Sequence, residues 1–369
     1  LCTSTMLGSA VIAIEPLPTQ FNVTGGGAFC EGESGAQVGL DGSELGINYE
    51  LLRDGISVTN LAGTGIALDF GLQTQAGMYT VTAENTTTLC TSNMLGSAVI
   101  TIEPLPAQYN VTGGGAFCEG ESGVSVGLED SGIGINYELF RDGNLVITLA
   151  GTGNALDFGL QTQAGTYTIT AENTTTLCTS TMLGSAVIAI EPLPTQFNVT
   201  GGGAFCEGES GAQVGLDGSE LGINYELLRD GISVTNLAGT GNALDFGLQT
   251  QAGTYTVTAE NTTTLCTSTM LGSAVIAIEP LPTQFNVTGG GAFCESESGV
   301  TVGLDGSEIG INYELFRDGN LVITLAGTGN ALDFGLQTQA GTYTITAENT
   351  TTLCTSTMLG SAVIAIEPL

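Results

Sequence analysis

Residues 47–61 read INYELLRDGISVTNL, and this stretch decides the fold. Ile47, Tyr49 and Leu51 alternate with Asn48 and Glu50, the period of two that a half-buried strand requires. Arg53-Asp54-Gly55 follows, and Asp-Gly between apolar-alternating runs marks a hairpin tip, because a type I′ turn needs positive φ at both central residues. A short strand near Ile56–Leu61 completes the hairpin. The alternation continues outward through Phe21 and Val23, then Ala36, Val38 and Leu40, then Leu68, Phe70 and Leu72, then Tyr79, Val81 and Ala83, and finally Ala98, Ile100 and Ile102. Turn signals separate these runs at Gly25-Gly26-Gly27, Asp41-Gly42-Ser43, Gly63-Thr64-Gly65 and Ala76-Gly77. No segment keeps a helical period for more than about two turns. About seven short strands with regular turn punctuation predict an all-β chain built of immunoglobulin-like β-sandwiches.

The same stretch returns every 88 residues. Self-similarity at a fixed period marks an array whose units share one fold. With Pro-Leu-Pro as punctuation, the expected repeats are 19–106, 107–194, 195–282 and 283–369, and residues 1–18 match the C-terminal strand of a preceding repeat. Both ends fall inside repeats, so the 369 residues read as a window on a longer polypeptide. Repeats one and three differ only at Ile66/Asn242, Met78/Thr254, Asn93/Thr269 and Thr101/Ala277, while repeats two and four share Phe140/Phe316 and the run Asn144-Leu145-Val146-Ile147, which recurs from Asn320. Near-identity of this kind points to duplication selected for length or copy number.

Composition narrows the function. There are 37 acidic residues against four arginines, no histidine, no lysine and no tryptophan, and the formal charge is -33. Such a chain lacks the basic patch that neutralises phosphates in nucleic-acid binding, and it is repelled by anionic lipid. Its acidity suits the solubility and self-repulsion of a long exposed polymer. The apolar runs are far shorter than the ~20 residues a membrane helix needs. Without histidine or lysine, a histidine-based triad, a Schiff base and a P-loop are all excluded, leaving only carboxylate pairs as catalytic candidates. Asp41 with Glu44 is one such pair, but repeat two carries Glu129 and Gly132 there, and the segment reads as a turn. The expectation is a protein that is not an enzyme.

The nine cysteines allow two pairings. One closes a loop within each repeat: Cys30 with Cys90, Cys118 with Cys178, Cys206 with Cys266, and Cys294 with Cys354, with Cys2 pairing upstream of the window. The other clips neighbours across the linker, as Cys2 with Cys30 and Cys90 with Cys118. The first is favoured, because a unit this small needs a staple and a loop of this length is worth on the order of 4 kcal/mol in the chain-entropy model. The thiols lack the C-x-x-C spacing and the histidines of a zinc site. Paired cysteines in an acidic, Gly- and Thr-rich chain point instead to an oxidising, extracellular location.

No cofactor is required by the sequence. Calcium is the one candidate ion, with Glu31, Glu33, Asp41, Glu44 and Glu103 as possible ligands, although no D-x-D-x-D pattern appears. Asn-x-Thr sequons recur at Asn22 and Asn85, with counterparts at Asn110, Asn173, Asn198, Asn261, Asn286 and Asn349. They would carry glycans in a secreted eukaryotic protein and are plain strand and loop sequence in a bacterium. Arg53, Arg141, Arg229 and Arg317, one at each hairpin tip, read as solvated residues that could pair with a carboxylate or touch a partner. Glu103-Pro104-Leu105-Pro106 leads directly into the next repeat, and its two prolines favour an extended, semi-rigid path, so consecutive sandwiches are expected to form a rod.

Three segments carry a resemblance: Phe29-Cys30-Glu31-Gly32-Glu33-Ser34-Gly35, Ala76-Gly77-Met78-Tyr79-Thr80-Val81-Thr82-Ala83 and Thr88-Leu89-Cys90-Thr91. They are similar to the repeats of giant surface adhesins of Bacteroidota, the SprB-type repeats of gliding-motility adhesins exported by the type IX system. The resemblance implies a cell-surface or extracellular filament of adhesion or gliding, whose partners are a host or environmental surface or neighbouring fibres. The repeats here are longer than typical members of that group, and no sorting domain lies within these residues. The leading expectation is a structural extracellular fibre or stalk; the alternative is a calcium- or carbohydrate-binding array acting through avidity.

Overall fold

The computed structural model describes Gly8 and residues 11–368. The chain divides into two compact units, 1–190 and 191–369, and each contains two copies of one nine-strand pattern. In the first copy the strands are β1 (Val23–Gly25), β2 (Gly27–Cys30), β3 (Ala36–Leu40), β4 (Ile47–Arg53), β5 (Ile56–Ala62), β6 (Leu68–Gln73), β7 (Gly77–Asn85), β8 (Thr91–Asn93) and β9 (Ala98–Glu103). One sheet has the order β1-β3-β6 and the other β2-β9-β7-β4-β5, with β8 added to β7. These are the two faces of an immunoglobulin-like sandwich, and the pattern recurs from Val111, Val199 and Val287.

Most of the residues that alternate in sequence fill the space between the sheets, but Leu72 and Ile102, expected to point inward with them, are exposed, as are their equivalents in the other repeats. Val38, Leu40, Tyr49, Leu51, Tyr79, Val81 and Ala83 are all buried, together with Phe29, Met94, Ala98 and Ile100. Each copy has its own cluster of this kind. The β4–β5 hairpin turns through Asp54 and Gly55 at φ 48° and 81°, as the sequence predicts.

Two strands escape the sequence reading. Gly25-Gly26-Gly27 is not a turn between two antiparallel partners but a crossing point. The chain leaves the β1 sheet and joins the opposite sheet as β2, which runs parallel to β9 with Cys30 beside Glu103. All three glycines have positive φ, and a Cβ on Gly25 would lie 1.9 Å from the Gln37 carbonyl oxygen. The crossing therefore demands glycine both sterically and conformationally. The short β8 was also unexpected, since Thr91-Ser92-Asn93 has no apolar alternation.

Residues 11–18, expected as the last strand of a preceding repeat, form no strand. Val11, Ile12 and Ile14 are exposed, whereas Ile100, the counterpart of Ile12, is buried between β2 and β7.

Substituting alanine at Gly25, Gly113, Gly201 and Gly289 together should cost about 2–3 kcal/mol per repeat, from the clash added to an unfavourable φ. The same change at Gly46, Gly134, Gly222 and Gly310, where φ is positive but no atom lies within 4 Å, should cost only about 1 kcal/mol. Denaturant midpoints of the two variants, read beside the parent, measure the difference.

Candidate functional site

The feature that recurs with chemistry attached is the joint between two repeats. Cys30 ends β2, and its register beside Glu103 places it where the chain leaves the repeat through Pro104-Leu105-Pro106. The Glu31 N–H donates to the Glu103 carbonyl at 2.9 Å, and the Glu33 carboxylate accepts the Cys30 N–H at 2.8 Å, which holds the Cys30 loop against the end of β9. Cys90 lies at the opposite pole. It follows β7, which is antiparallel to β9, with Gly77 beside Ile100 and Asn85 far up the strand. At ~3.3 Å per residue the two cysteines of one repeat stand roughly 30 Å apart along the sheet. A disulfide needs Cα atoms within about 7 Å.

The structure accordingly pairs Cys30 with Cys178 of the next repeat, with Cα atoms 5.6 Å apart and a sequence separation of 148. Cys206 pairs with Cys354 in the same way. This corrects the expectation of loops closed within a repeat: Cys30–Cys90, Cys118–Cys178, Cys206–Cys266 and Cys294–Cys354 do not form. The clipped pairing Cys90–Cys118 does not form either, because Cys118 is disulfide-bonded while Cys90 carries a free thiol. Cys266 is disulfide-bonded as well, and Cys294 is free. Cys2 lies outside the described residues.

The second cysteine is presented by a local turn. In repeat two, the Asn173 side-chain oxygen accepts the N–H groups of Thr175 and Thr176 at 2.9 and 3.2 Å, and the Leu177 N–H donates to the Asn173 carbonyl at 2.9 Å. The turn forces Leu177 to φ 63°, a conformation a non-glycine residue adopts only when its surroundings dictate it. Thr174 anchors the turn to the Gly134 carbonyl. Cys178, one residue beyond Leu177, is thereby fixed near the entry of its repeat, where Gln108 donates to the Thr181 carbonyl and Leu183 to that of Tyr109. The exit pole of one sandwich and the entry pole of the next are therefore the two faces that the bond joins.

Sequons and carboxylates turn out to be clamps on this frame. Asp41 accepts both the backbone N–H and the side-chain amide of Asn22, at 2.8 and 2.7 Å. The Asn22 side-chain amide, and after it the Asn22 backbone N–H, hold the Asp41 carboxyl below its ordinary range. Asp217 and Asp305 are lowered in the same way by Asn198 and Asn286, and so is Glu129 by Asn110. Glu44 grips Thr19 at the start of the repeat through its N–H at 3.2 Å and its hydroxyl at 2.5 Å. Repeat two has Ala107 and Gly132 at these two positions, so both partners of that clamp are absent together. Asp41 and Glu44 are thus bound to different partners and form no acid/base pair. The calcium candidates are not gathered either: among the described residues no group of three or more His, Cys, Asp or Glu could hold a metal.

Each repeat also bears a groove, of about 320 Å³ in the first, between Arg53, Ile56, Val58, Leu72, Gln75 and Tyr79. The equivalent arginines line the other three grooves. The Arg53 stem passes over Gly77, where a Cβ would meet its Cγ at 2.8 Å. Tyr79 is buried, and no Phe or Tyr is exposed among the described residues, so the groove lacks the ring face on which a sugar stacks.

No family model matches the chain, and no curated protein matches it. Among solved structures, the eight N-terminal Ig domains of Down Syndrome Cell Adhesion Molecule are 14% identical with a TM-score of 0.29, covering 94% of this chain and 54% of that one. The chain thus spans about half the length of that first relative. Three N-terminal domains of the bacteriophage RB49 Highly Immunogenic Outer Capsid protein give 14% identity and a TM-score of 0.31, over 70% of this chain and 99% of that one. Murine CEACAM1b gives 13% and 0.28, over 47% and 100%. The class that the chain's own strand order defines is a tandem array of Ig-like sandwiches, in which disulfides join repeat one to repeat two and repeat three to repeat four.

The lowered carboxylates set the response to acid. A carboxylate whose folded pKa lies below its unfolded value contributes stability above the unfolded value and loses it as pH falls through the folded one. Denaturant midpoints should therefore drop as pH falls below about 4, through and beyond the ordinary carboxylate range. Alanine at Asn22, Asn110, Asn198 and Asn286 should flatten that drop, and an unchanged slope would remove the clamps from the account.

Proposed function

We propose that this chain is a tension-bearing length of an extracellular, non-enzymatic adhesive fibre of the SprB type, which contacts a host or environmental surface or neighbouring fibres. The observation that carries the reading is the covalent route through the molecule. A pull applied to the two ends passes from Cys30 to Cys178 and from Cys206 to Cys354 through sulfur, so residues 31–177 and 207–353 lie off the load path. A sandwich spliced out in this way does not lengthen when its hydrogen bonds give way. That is a useful property in a stalk that must hold a cell against drag and of no evident use to a soluble binding module.

Other features support the same reading. Near-identical repeats supply length, a charge of -33 keeps neighbouring segments apart, and repeated disulfides belong to an oxidising compartment. No helix among the described residues is long and apolar enough to cross a membrane. The resemblance to gliding-motility adhesins adds the class of cell surface on which such a fibre would stand.

Single-molecule stretching of the 369-residue chain tests the mechanical part. Each 148-residue separation, at no more than ~3.6 Å per residue, should release on the order of 50 nm of contour after reduction that the oxidised chain withholds. Equal contour lengths in the two states would contradict the load path. For the ligand-binding alternative, melting curves in calcium and in chelator should superimpose; a large shift on chelation would favour a calcium-loaded array. Antibody against the repeats should label intact cells of the source organism, and labelling only after lysis would refute the surface location.

A further inference from the structure

The four arginines are the chain's only basic side chains, and each stands in the same setting. Arg53 closes the β4–β5 hairpin opposite Ile56 and lies in register beside Tyr79 of β7. Its stem crosses Gly77, and the crossing recurs at Gly165, Gly253 and Gly341, where a Cβ would meet the Cγ of Arg141, Arg229 and Arg317 at 2.9, 2.8 and 2.9 Å. Each arginine is half-buried along this glycine shelf, which fixes where its guanidinium ends. Yet against 37 acidic residues, none of the four has an ion-pair or hydrogen-bond partner among the described residues. The adjacent acid is committed to backbone: the Asp54 carboxylate accepts the Met78 N–H at 3.0 Å, and Asp142, Asp230 and Asp318 accept the equivalent N–H groups at 2.9 Å.

The groove beside each guanidinium has two unlike walls. One is a set rim, in which the Tyr79 hydroxyl donates to the Gln75 carbonyl at 2.8 Å and the Gln73 amide to the Phe70 carbonyl at 3.0 Å. The other is β5, the last strand of its sheet. Sheets ordinarily guard such an edge with lysine, proline or an inward charge. In all four repeats this strand has none of these, and Ile56 and Val58, with Leu72 across the groove, are exposed. In repeat two their places are taken by Leu145, Val146 and Leu160, also exposed. The groove thus offers an unpaired cation, a free strand edge and apolar lips within about 300 to 320 Å³.

We propose that each groove binds an extended acidic peptide segment, which adds to the outer edge of β5 as a further strand and gives one Asp or Glu carboxylate to the guanidinium of Arg53, Arg141, Arg229 or Arg317. Complementarity selects this occupant. The planar guanidinium takes a carboxylate in two parallel hydrogen bonds, the strand edge takes backbone N–H and C=O groups, and the apolar lips take the side chains that flank the acid. A small carboxylate would use the arginine and leave the edge unpaired. An acidic sugar would find no exposed ring to stack on, since no Phe or Tyr is exposed among the described residues. Four like grooves on one chain turn weak single contacts into avidity for a surface that displays such segments. The inference needs neither the load path nor the surface location, and its failure would leave both standing.

The test titrates the 369-residue chain into three fluorescein-labelled peptides and reads fluorescence anisotropy. The first is Thr-Val-Glu-Val-Thr-Ser, the second has glutamine for its glutamate, and the third has alternate backbone nitrogens methylated. The acidic peptide should bind one per groove, and more weakly as salt is raised. The glutamine and methylated peptides should each bind at least about tenfold more weakly, the first for want of the charge-assisted hydrogen bonds and the second for want of the strand ladder. Replacing all four arginines, as Arg53→Gln with Arg141→Gln, Arg229→Gln and Arg317→Gln, should erase the preference for glutamate over glutamine, with an unchanged far-ultraviolet circular dichroism spectrum as the folding control. The glutamine peptide makes the same comparison on the unaltered chain. No binding of the acidic peptide, equal binding of the acidic and glutamine peptides, equal binding of the acidic and methylated peptides, or binding of polygalacturonate in place of the peptide would each overturn the proposal.

Discussion

Everything distinctive about this chain follows from one constraint: the two cysteines of a repeat are held at opposite ends of the same sheet. β2 runs parallel to β9 and delivers Cys30 to the exit, while β7 runs antiparallel to β9 and delivers Cys90 to the entry. A sulfur bridge can then be made only to another repeat. In the chain-entropy model, closing a separation of 148 residues is worth about 5 kcal/mol, but the ring contains parts of two sandwiches. The bond therefore does not act as a staple inside one fold. It couples the folding of neighbours, and each sandwich relies on its own closed core for the rest.

That division of labour shows in the residues. The core positions are copied with little change, as in Val38, Val126, Val214 and Val302 or Tyr49, Tyr137, Tyr225 and Tyr313, all of them buried. The tyrosine at the centre is also a structural acceptor: the Tyr49 hydroxyl takes the Glu44 N–H at 2.9 Å, and burial pushes its ionisation up, so it stays neutral. Variation falls instead on exposed β5, where Ile56-Ser57-Val58 in one repeat becomes Asn144-Leu145-Val146 in the next, and on the segment from Ala36 to Leu45, where Asp41 and Gly42 become Glu129 and Asp130. Where a clamp is lost it is lost whole, as when Thr19 and Glu44 give way to Ala107 and Gly132.

Much of the fold was legible in the sequence because strands and hairpins write themselves locally. Alternation marked the inward residues of β3, β4 and β7 and the first part of β6 and β9, failing at Leu72 and Ile102, and Asp54-Gly55 marked the turn. The crossing at Gly25-Gly26-Gly27 was not legible, because a glycine run announces unusual backbone without saying which sheet the chain enters next. The disulfides failed for the same reason. Their partners are chosen by whether β2 lies parallel or antiparallel to β9, and that is decided by the whole sandwich. The carboxylates were visible as candidates, but a sequence cannot show that Asp41 is already held by Asn22, so a metal or catalytic role stayed open until the hydrogen bonds were seen.

The central claim is that sulfur crosses the joints, and peptide mapping tests it most directly. Digesting the oxidised chain with free thiols blocked, then sequencing the linked peptides, should recover Cys30 joined to Cys178 and Cys206 joined to Cys354, with Cys90 carrying the blocking group. Peptides joining Cys30 to Cys90, or Cys206 to Cys266, would place each bond back inside its own repeat and contradict the account.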